Sequence, residues 1–325
     1  DFQQSSHHLG GTMYDELCRQ LQEEGFNFRP VIDGNKYKIK EKSFRGWYAG
    51  TQYEHGVIVT VGSWDGEFKK VFKAFENGNV NGSGGKIDAF IKEKNAEAEV
   101  QKTEANQKAK EKAQEIWNQS IEGDPSRSPY LVRKRLSHLY GARVDPDTGA
   151  TLRLPCTDAA GNVWGIQEIF ASGDKKFLKG QRKEGTFHQI GDVQPGRPIL
   201  IAEGFATGAS LHQVTKHPVF IAWDAGNLKR VALEVRSKYP TNIILIAGDN
   251  DEHGTGQKAA EAAAKAASGY CKIPGIAGKD WNDCLVEKGE DVLREIFEKE
   301  FKELKPQFDR NKIQEHSLKD LFTHP

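Results

Sequence analysis

Three short apolar runs organise the second half of the chain. ILIA begins at residue 199, VFIA at residue 219 and IILIA at residue 243, and a segment with the composition of a helix follows each run. Runs that are short, apolar throughout and rich in β-branched residues are typical of strands buried on both faces of a parallel sheet. The pattern therefore predicts an α/β fold, with a parallel sheet flanked by helices over residues 198–290.

Acidic residues follow two of these runs directly. Glu203 comes after the first run, and Asp249 and Asp251 come after the third. Because ligand sites in parallel sheets lie at the carboxyl ends of the strands, we expect these carboxylates to converge. Oxygen ligands of this kind suit Mg²⁺. The alternative is structural, since acidic residues after strands also cap helices and Asp-x-Asp also forms turns.

Two further groups belong to the same predicted edge of the sheet. The middle run is followed by WDAGN, in which Asp224 and Asn227 either contact substrate or, for Asp224, cap the next helix. The acidic turn GKDWND supplies Asp280 and Asp283 as additional candidate metal ligands. This set of acidic groups, more than any one of them, favours a metal site.

The first half of the chain follows a different pattern. After an amphipathic helix, residues 26–80 alternate in short segments broken by glycines, which predicts a small antiparallel β-rich domain. Residues 81–90 are interpreted as a flexible Gly/Ser joint. Residues 91–121 are rich in Ala, Lys, Glu and Gln and contain no Gly or Pro, which predicts a long charged helix.

The predicted organisation follows from these changes of pattern. Residues 1–12 contain His-His and Gly-Gly pairs and precede the single methionine, so they are interpreted as a remnant of cloning. The expected parts are a separate α+β domain (13–90), a linker helix (91–121), a small basic mixed subdomain (122–197), the parallel-sheet domain (198–290) and a terminal helix with a polar tail (291–325). The polar tail suggests a fragment of a longer protein.

Composition restricts the partners. Lys plus Arg and Asp plus Glu each number 46, so any nucleic-acid surface must arise from segregated charge. No apolar run approaches a membrane span and no signal peptide opens the chain, which favours a cytoplasmic protein without membrane contact. The four cysteines lack Cys-x-x-Cys spacing, which argues against a zinc site.

Segregated positive charge is expected in three places. In the β-rich domain, aromatic residues are interleaved with lysines, and Lys36, Lys38, Lys40 and Lys42 have the parity of one strand face. Aromatic and basic groups together suit single-stranded nucleic acid, although a small β domain also needs aromatics for its core and lysines for its edges. Basic clusters at residues 127–143 and 175–183 are interpreted as a phosphate track, the alternative being a solvated face.

The order of motifs resembles one known family. AEGFATG, GDND and GKDWND are similar to the Toprim domain of DnaG-type primases, topoisomerases and some nucleases. Upstream, LRLPCTDAAGNVWGIQEI and KKFLKG resemble the segment that precedes Toprim in the primase catalytic core. The sequences AEGFATGASLH and FIAWDAGN are most similar to those of plasmid- and phage-encoded primases, and the resemblance covers residues 128–290.

The resemblance implies a set of site residues. Glu203, Asp249 and Asp251 are expected to be catalytic, with Glu203 acting as a metal ligand or as a general base. Asp280 is expected to join them around Mg²⁺ or Mn²⁺, and no zinc is expected. The expected nucleic-acid or nucleotide contacts are Lys176, Lys179, Arg153, Arg182, Lys183, Asp224 and Asn227.

The expected activity is that of a DNA primase, with template-directed, metal-dependent primer synthesis. Its expected partners are single-stranded DNA, nucleoside triphosphates and a replicative helicase, in a bacterial cell and on a plasmid or phage genome. Two alternatives remain open, namely a Toprim nuclease that uses the same carboxylates with water, and a DNA-binding replication accessory with a degenerate site. The upstream KKFLKG segment favours the primase, because it belongs to the primase core.

Overall fold

The protein consists of two compact units. The computed structural model describes residues 11–41, 44–53, 56–64, 68–75 and 80–305. Residues 1–98 belong to unit 1 and residues 99–325 to unit 2. Residues 1–10 of the expected cloning remnant (1–12) and the polar tail from residue 306 lie outside the described residues, whereas residues 11 and 12 belong to the first helix.

Unit 1 is a helix packed on an antiparallel sheet. Alternate residues of the third strand, Val57, Val59 and Val61, pack with Leu17 and Leu21 of the helix in one core. This alternation confirms the predicted β-rich domain. The elements are α1 (Gly11–Glu23), β1 (Lys36–Lys38), β2 (Gly46–Tyr53), β3 (Gly56–Ser63) and β4 (Lys69–Phe75), and the strands lie in sequence order.

Helix α2 (Val80–Gln119) is longer than the sequence predicted. Its backbone is helical through residues 81–90, so the expectation of a flexible joint there is wrong. Propagation adds one hydrogen bond per residue fixed, so a long helix rich in Ala, Lys and Glu extends through unfavourable glycines. Ala109 and Ala113, four residues apart and therefore on one face of the helix, are buried. None of the helices described, α2 included, is long and apolar enough to cross a bilayer.

The first part of unit 2 is a small antiparallel sheet. Its strands are β5 (Arg143–Val144), β6 (Leu152–Thr157), β7 (Val163–Ile169) and β8 (Lys175–Phe177), and helix α3 (Pro129–Arg133) precedes them. One face carries Leu152 and Ile169 into the main core of the unit. Val163 and Ile166 pack on the other face with Ala113 of α2. The sheet is therefore covered on both sides.

The second part of unit 2 is a five-stranded sheet in the order β13-β12-β10-β11-β9. The central strands pair in parallel, and the edge strand β9 is antiparallel to β11. This mixed, mostly parallel sheet confirms the predicted fold class. The elements are β9 (His188–Ile190), β10 (Ile199–Ala202), α4 (Phe205–Thr215), β11 (Val219–Ile221), α5 (Ala225–Lys238), β12 (Ile244–Ala247), α6 (Thr255–Ala266), β13 (Tyr270–Lys272), α7 (Trp281–Lys288) and α8 (Glu290–Glu303).

Both faces of the five-stranded sheet are buried, which explains its uninterrupted apolar runs. In β10, Leu200 and Ala202 share a core with α4, α7, α8 and the antiparallel sheet. Ile199 and Ile201 point the other way and pack with α5 and α6. No position in such a strand is available for a polar side chain, so polar groups appear where the strands end.

A buried arginine joins α5 to α6. The Arg236 guanidinium is 5% exposed and donates hydrogen bonds to carbonyl oxygens of Ala267, Asn242 and Pro240, at 2.7, 2.7 and 3.1 Å. It also donates to the carbonyls of Tyr239 and Ser268. One side chain thus satisfies the carbonyls that end both helices and the loop between them.

We predict that Arg236→Ala destabilises the protein by at least about 2 kcal/mol, because buried carbonyls lose a charged donor. The matched control is Arg230→Ala on the same helix, where a partly exposed pair with Glu234 is lost at a cost below about 1 kcal/mol. Denaturant unfolding followed by circular dichroism measures both changes. Equal effects of the two substitutions would contradict the proposed role of Arg236.

Candidate active site

Two carboxylates lie at the ends of neighbouring parallel strands. Ala202 of β10 pairs with Ala247 of β12, so Glu203 and Asp249 emerge at the same edge of the sheet. Glu203 Oε1 and Asp249 Oδ1 are buried, and neither accepts a hydrogen bond from the described residues. Buried polar oxygens without partners are costly, so this edge of the sheet favours a cation or bound protons.

Asp251 is held at the beginning of α6 by backbone donors. Its Oδ1 accepts hydrogen bonds from the N–H groups of His253 and Thr255 at 2.9 and 3.0 Å, and its Oδ2 accepts one from Gly256 at 2.5 Å. The structural alternative considered for Asp-x-Asp is therefore realised at Asp251. Its carboxylate nevertheless faces Glu203, as the position of Gly256 indicates.

Gly256 allows the acidic groups to approach one another. A Cβ at this position would lie 3.1 Å from both Asp251 Oδ2 and Glu203 Oε1, and 2.9 Å from the Asp249 carbonyl oxygen. Both carboxylate oxygens thus surround one point that only a glycine leaves open. The glycine in GTGQ was the sequence signal for this approach, and the sequence analysis did not use it.

Burial and mutual repulsion change the acidity of the two strand-end carboxyls. Burial raises the pKa of Glu203 to about 8, and the negative charges of Asp249, Asp224 and Asp251 contribute. Burial, followed by the charge of Asp280, raises the pKa of Asp249 to about 7. In the absence of a cation, both carboxyls therefore retain protons near neutral pH.

Asp251 behaves differently from its neighbours. Burial alone would raise its pKa, but the backbone N–H groups at the beginning of α6 outweigh that effect and lower it. Hydrogen bonds to a carboxylate stabilise its charged form. The acidic cluster thus combines one stable negative charge with two carboxyls that exchange protons.

Asp280 lies next to this cluster and also begins a helix. Its Oδ1 accepts a hydrogen bond from the Asp283 N–H at 2.7 Å, and Asp283 Oδ2 accepts one from the Asp280 N–H at 3.2 Å, which forms a capping box for α7. Asp280 also lines a cleft together with Asp249. Its charge is the largest electrostatic contribution to the raised pKa of Asp249.

Three basic residues, Arg133, Lys134 and Lys175, line the cleft beside the acidic cluster. Its volume is about 480 Å³, and Ala206 and Thr207 in the first turn of α4 also line it. The buried hydroxyl of Tyr130 has no partner among the described residues. The remaining lining residues are Ser172, Gly173, Asp174, Gly204, Asp249 and Asp280.

Lys175 is a basic residue whose charge lowers the pKa of Asp249, and the sequence analysis did not select it as a site residue. Its Nζ lies 3.8 Å from the point where a Cβ of Gly204 would stand. Part of its side chain is exposed, but burial of the ammonium group lowers the pKa of Lys175. The charge of Lys134 lowers this pKa further, and the charges of Asp280 and Asp249 act in the opposite direction. Lys175 therefore connects β8 to the acidic cluster.

Strand parity explains why Lys175, and not its neighbour, reaches the cleft. Lys175 pairs with Ile169, which faces the main core. Lys176 pairs with Glu168 and therefore lies on the opposite face of the sheet. The expected contact of Lys176 with nucleic acid remains a prediction, as does that of the exposed Lys179.

Three other predicted contacts have structural partners. Arg153 pairs with Asp145 and Glu168, and its side chain is 14% exposed. Lys183 pairs with Asp224, and Arg182 lies 4.8 Å from the centre of the Trp164 ring. We therefore leave Arg153 out of the nucleic-acid surface, since two carboxylates already neutralise its charge.

The WDAGN segment anchors a loop. Asp224 caps α5 by accepting the Asn227 N–H at 3.0 Å, which is the structural alternative stated for it. Asn227 is buried, accepts from the Gly185 N–H at 2.9 Å and donates to the carbonyl oxygens of Ala222 and Thr186 at 3.0 Å. Its side chain is therefore occupied in joining this loop to the sheet.

Comparison with known proteins agrees with this geometry. A family model described as the Toprim domain matches residues 198–291. These residues form a Toprim domain. The match includes Glu203, Asp249 and Asp251, and it confirms the resemblance seen in the sequence. The antiparallel sheet that supplies Lys175 lies outside the matched Toprim domain.

The chain is also similar to two proteins from Escherichia coli that are both named DNA primase TraC. The identities are 30% over 262 residues and 31% over 290 residues. These matches cover 75% and 81% of this chain, but the chain spans only 18% and 26% of the length of those relatives. The chain is thus related to a part of these two proteins.

A solved structure gives a weaker likeness. The primase fragment of the bacteriophage T7 primase-helicase protein matches with 20% identity and a TM-score of 0.41, over 51% of this chain and 72% of that one. At this TM-score the likeness supports no conclusion about the activity of the chain.

The residues at the Toprim edge fit a divalent cation. The described part of the chain contains no ready-made cage of three or more Asp, Glu, His or Cys ligands. Mg²⁺ differs from structural metals in this respect, because one or two carboxylates commonly hold it together with water and substrate phosphates. Glu203 and Asp249, with their unpartnered oxygens, provide such a pair, and Asp251 and Asp280 lie beside them.

We predict that Glu203→Gln stabilises the cation-free Toprim domain at alkaline pH. The folded state binds the Glu203 and Asp249 protons more tightly than the unfolded chain does. This stabilising contribution is complete below their ordinary pKa values of 4.5 and 3.8, and it is lost as pH rises through about 7 and 8. Above this range, the substitution should raise Tm by about 2–4 °C for each kcal/mol gained.

Thermal melting in EDTA across this pH range tests the prediction. Glu261→Gln, an exposed acidic residue on α6, is the matched control and should leave the pH dependence unchanged. A Glu203→Gln protein that melts at or below the wild-type temperature at every pH would contradict the assignment of repulsion and burial at Glu203.

Proposed function

We propose that this chain carries the catalytic part of a DNA primase, which joins nucleoside triphosphates on a single-stranded DNA template. One observation supports it above the others. Glu203 and Asp249 each have one buried carboxylate oxygen that accepts no hydrogen bond from the described residues, and they lie at the Toprim edge beside a cleft lined by Arg133, Lys134 and Lys175. Nucleotide transfer requires divalent-cation ligands and phosphate-binding groups side by side.

The residues around the cleft divide the work between them. Mg²⁺ or Mn²⁺, held by Glu203 and Asp249, would supply charge neutralisation at the reacting phosphate. Lys175, Arg133 and Lys134 form charge-assisted hydrogen bonds to the triphosphate oxygens. The backbone N–H groups in the first turn of α4 provide further donors for the phosphates. Glu203 acts either as a ligand or as the base that accepts the proton of the attacking hydroxyl.

The template contacts come from the loop that follows β8. Lys179, Arg182 and Lys183 lie on this loop, and Lys183 and Asp224 connect it to the end of β11. Asp224 lies close enough to Glu203 for its charge to raise the pKa of Glu203. A single strand bound along this loop therefore passes near the acidic cluster. Phosphate contacts of this kind position a strand without reading its sequence.

A Toprim nuclease is the second candidate. It would use the same carboxylates, with water as the attacking group. Two features favour primer synthesis, namely the similarity of the chain to DNA primase TraC and the contribution of β8, outside the Toprim domain, to the cleft. We infer action in the bacterial cytoplasm, and a replicative helicase remains a predicted partner.

We predict that Asp249→Asn and Glu203→Gln each reduce primer synthesis at least about a hundredfold, because each removes an oxygen that stabilises the reacting phosphate through the cation. Single-strand binding should persist, since the basic residues are intact. The assay incubates the protein with single-stranded templates, labelled nucleotides and Mg²⁺ or Mn²⁺. Asp192→Asn, an exposed acidic residue of unit 2, serves as the control. Template degradation without nucleotide incorporation would assign the nuclease instead.

We predict different effects for two adjacent lysines. Lys175→Ala should raise the KM for nucleotide by roughly tenfold or more, because one charge-assisted hydrogen bond to phosphate is lost. Lys176→Ala should change the nucleotide KM less than about threefold, since its side chain lies on the other face of β8. Steady-state kinetics with varied nucleotide compares the two variants. A larger KM effect at Lys176 would refute the orientation of β8 and the role given to Lys175.

A further inference from the structure

Unit 1 has a sheet face that α1 does not cover. Val57, Val59 and Val61 face α1, so the alternate residues of β3 and their strand partners form the opposite face, which we call the outer face. Strand pairing arranges this face in rows, of which two adjacent ones carry exposed lysines, while the next row contains the buried Ile58. One of the two lysine-bearing rows contains Lys38, Trp47, Gly62 and Lys69, and the other contains Lys36, Ala49, Thr60 and Val71.

The outer face carries three exposed lysines, Lys36, Lys38 and Lys69. Among the residues described, no carboxylate forms an ion pair with any of them. Burial, together with the charge of Lys69, lowers the pKa of Lys36, so these two ammonium groups lie close enough to repel each other. By contrast, Lys70 points to the α1 side of β4 and pairs with Glu24.

Two tryptophans lie beside these lysines. Most aromatic side chains of unit 1 pack against one another in the core, as the pairs formed by Phe26, Phe44 and Tyr48 illustrate. Trp64 instead is 56% exposed, directly after β3. Lys36 Nζ lies 3.7 Å from the centre of the Trp47 ring and 5.9 Å from that of Trp64.

Gly62 allows Trp47 to lie against the sheet. A Cβ at residue 62 would lie 2.7 Å from the Trp47 ring, so the indole occupies the space that a side chain would fill. Val71, in the adjacent row, is 41% exposed. The outer face thus combines flat apolar surfaces with ammonium groups that have no carboxylate partner among the described residues.

We propose that the outer face of unit 1 binds single-stranded nucleic acid, at a site separate from the Toprim domain. Bases stack on Trp64 and Trp47, while Lys36, Lys38 and Lys69 contact phosphates. Lysines on edge strands also prevent pairing between sheets, but that role does not require an exposed tryptophan beside them. An anionic lipid surface or acidic protein would match the lysines and leave the stacking surfaces unexplained.

The proposal does not depend on primer synthesis by the Toprim domain. Its test uses the full chain in EDTA, with labelled oligothymidylate and oligouridylate of equal length as probes. The variants are Trp64→Ala and the double substitution Lys36→Glu with Lys69→Glu. The matched control is Arg29→Glu, an exposed residue whose charge acts on Tyr14 and Cys18 of α1.

Fluorescence anisotropy should give three results. Trp64→Ala weakens single-strand binding roughly fivefold to a hundredfold and leaves duplex binding unchanged, because stacking requires exposed base faces. The double lysine variant lowers the slope of log affinity against log salt by about 1.4, at about 0.7 per phosphate contact on a single strand. Arg29→Glu changes neither quantity appreciably. The probe with the larger Trp64 effect identifies DNA or RNA as the preferred strand.

Ultraviolet crosslinking followed by peptide mapping locates the bound strand independently of the contacts in unit 2. Crosslinks should occur in the peptides that contain Trp47 and Trp64, in the wild type and in Glu203→Gln alike. Crosslinks confined to unit 2, or unchanged affinity in Trp64→Ala, would overturn the proposal. The double lysine variant could instead weaken the binding of heparin and of single strands equally, with no effect of Trp64→Ala on either. That result would identify the outer face as a general polyanion-binding surface and would also overturn the proposal.

Discussion

The burial of two carboxyl groups side by side is the constraint on which unit 2 depends. Glu203 and Asp249 follow strands that are buried on both faces, so their carboxyl groups are accessible only from the carboxyl edge of the sheet. Burial and repulsion raise both pKa values into the neutral range. A divalent cation offsets the free-energy cost of burying two charged carboxylates, and in its absence bound protons neutralise them. Such strain is tolerated where the surrounding structure fixes the groups that carry it.

Several neighbouring features serve to hold that arrangement. Gly256 admits α6 against Glu203 and Asp251, and backbone donors keep Asp251 charged. A capping box fixes Asp280 at the beginning of α7. Lys175 lines the cleft from the antiparallel sheet, so the position of its ammonium group depends on packing between two sheets. The stability of the unit and the geometry of its site are therefore linked through the same contacts.

The fold and the acidic site were largely predictable from sequence, because both arise from local patterns. An uninterrupted apolar run indicates a strand that is buried on both faces, and the first polar residue after the run marks the end of that strand, as Glu203 and Asp249 illustrate. The basic contacts were less predictable, because adjacent residues of a strand point to opposite faces of the sheet. The sequence alone does not show that Lys175, and not Lys176, lies on the face of β8 towards the cleft. Arg153 pairs with Asp145 and Glu168 across neighbouring strands, and Asn227 bonds to a loop about 40 residues earlier in the chain, contacts that a linear pattern does not reveal. In unit 1, only packing separates the core aromatics from Trp64.

The central claim is that Glu203 and Asp249 retain protons until a divalent cation replaces them. Calorimetric titration with Mn²⁺ near neutral pH, in buffers of different ionisation enthalpy, measures the protons released on binding. The account predicts proton release that falls towards zero well above pH 8, where both carboxyls are already ionised, and no comparable binding when both residues are replaced by their amides. Mn²⁺ binding of wild-type strength in that double variant, or binding without proton release near neutral pH, would contradict it.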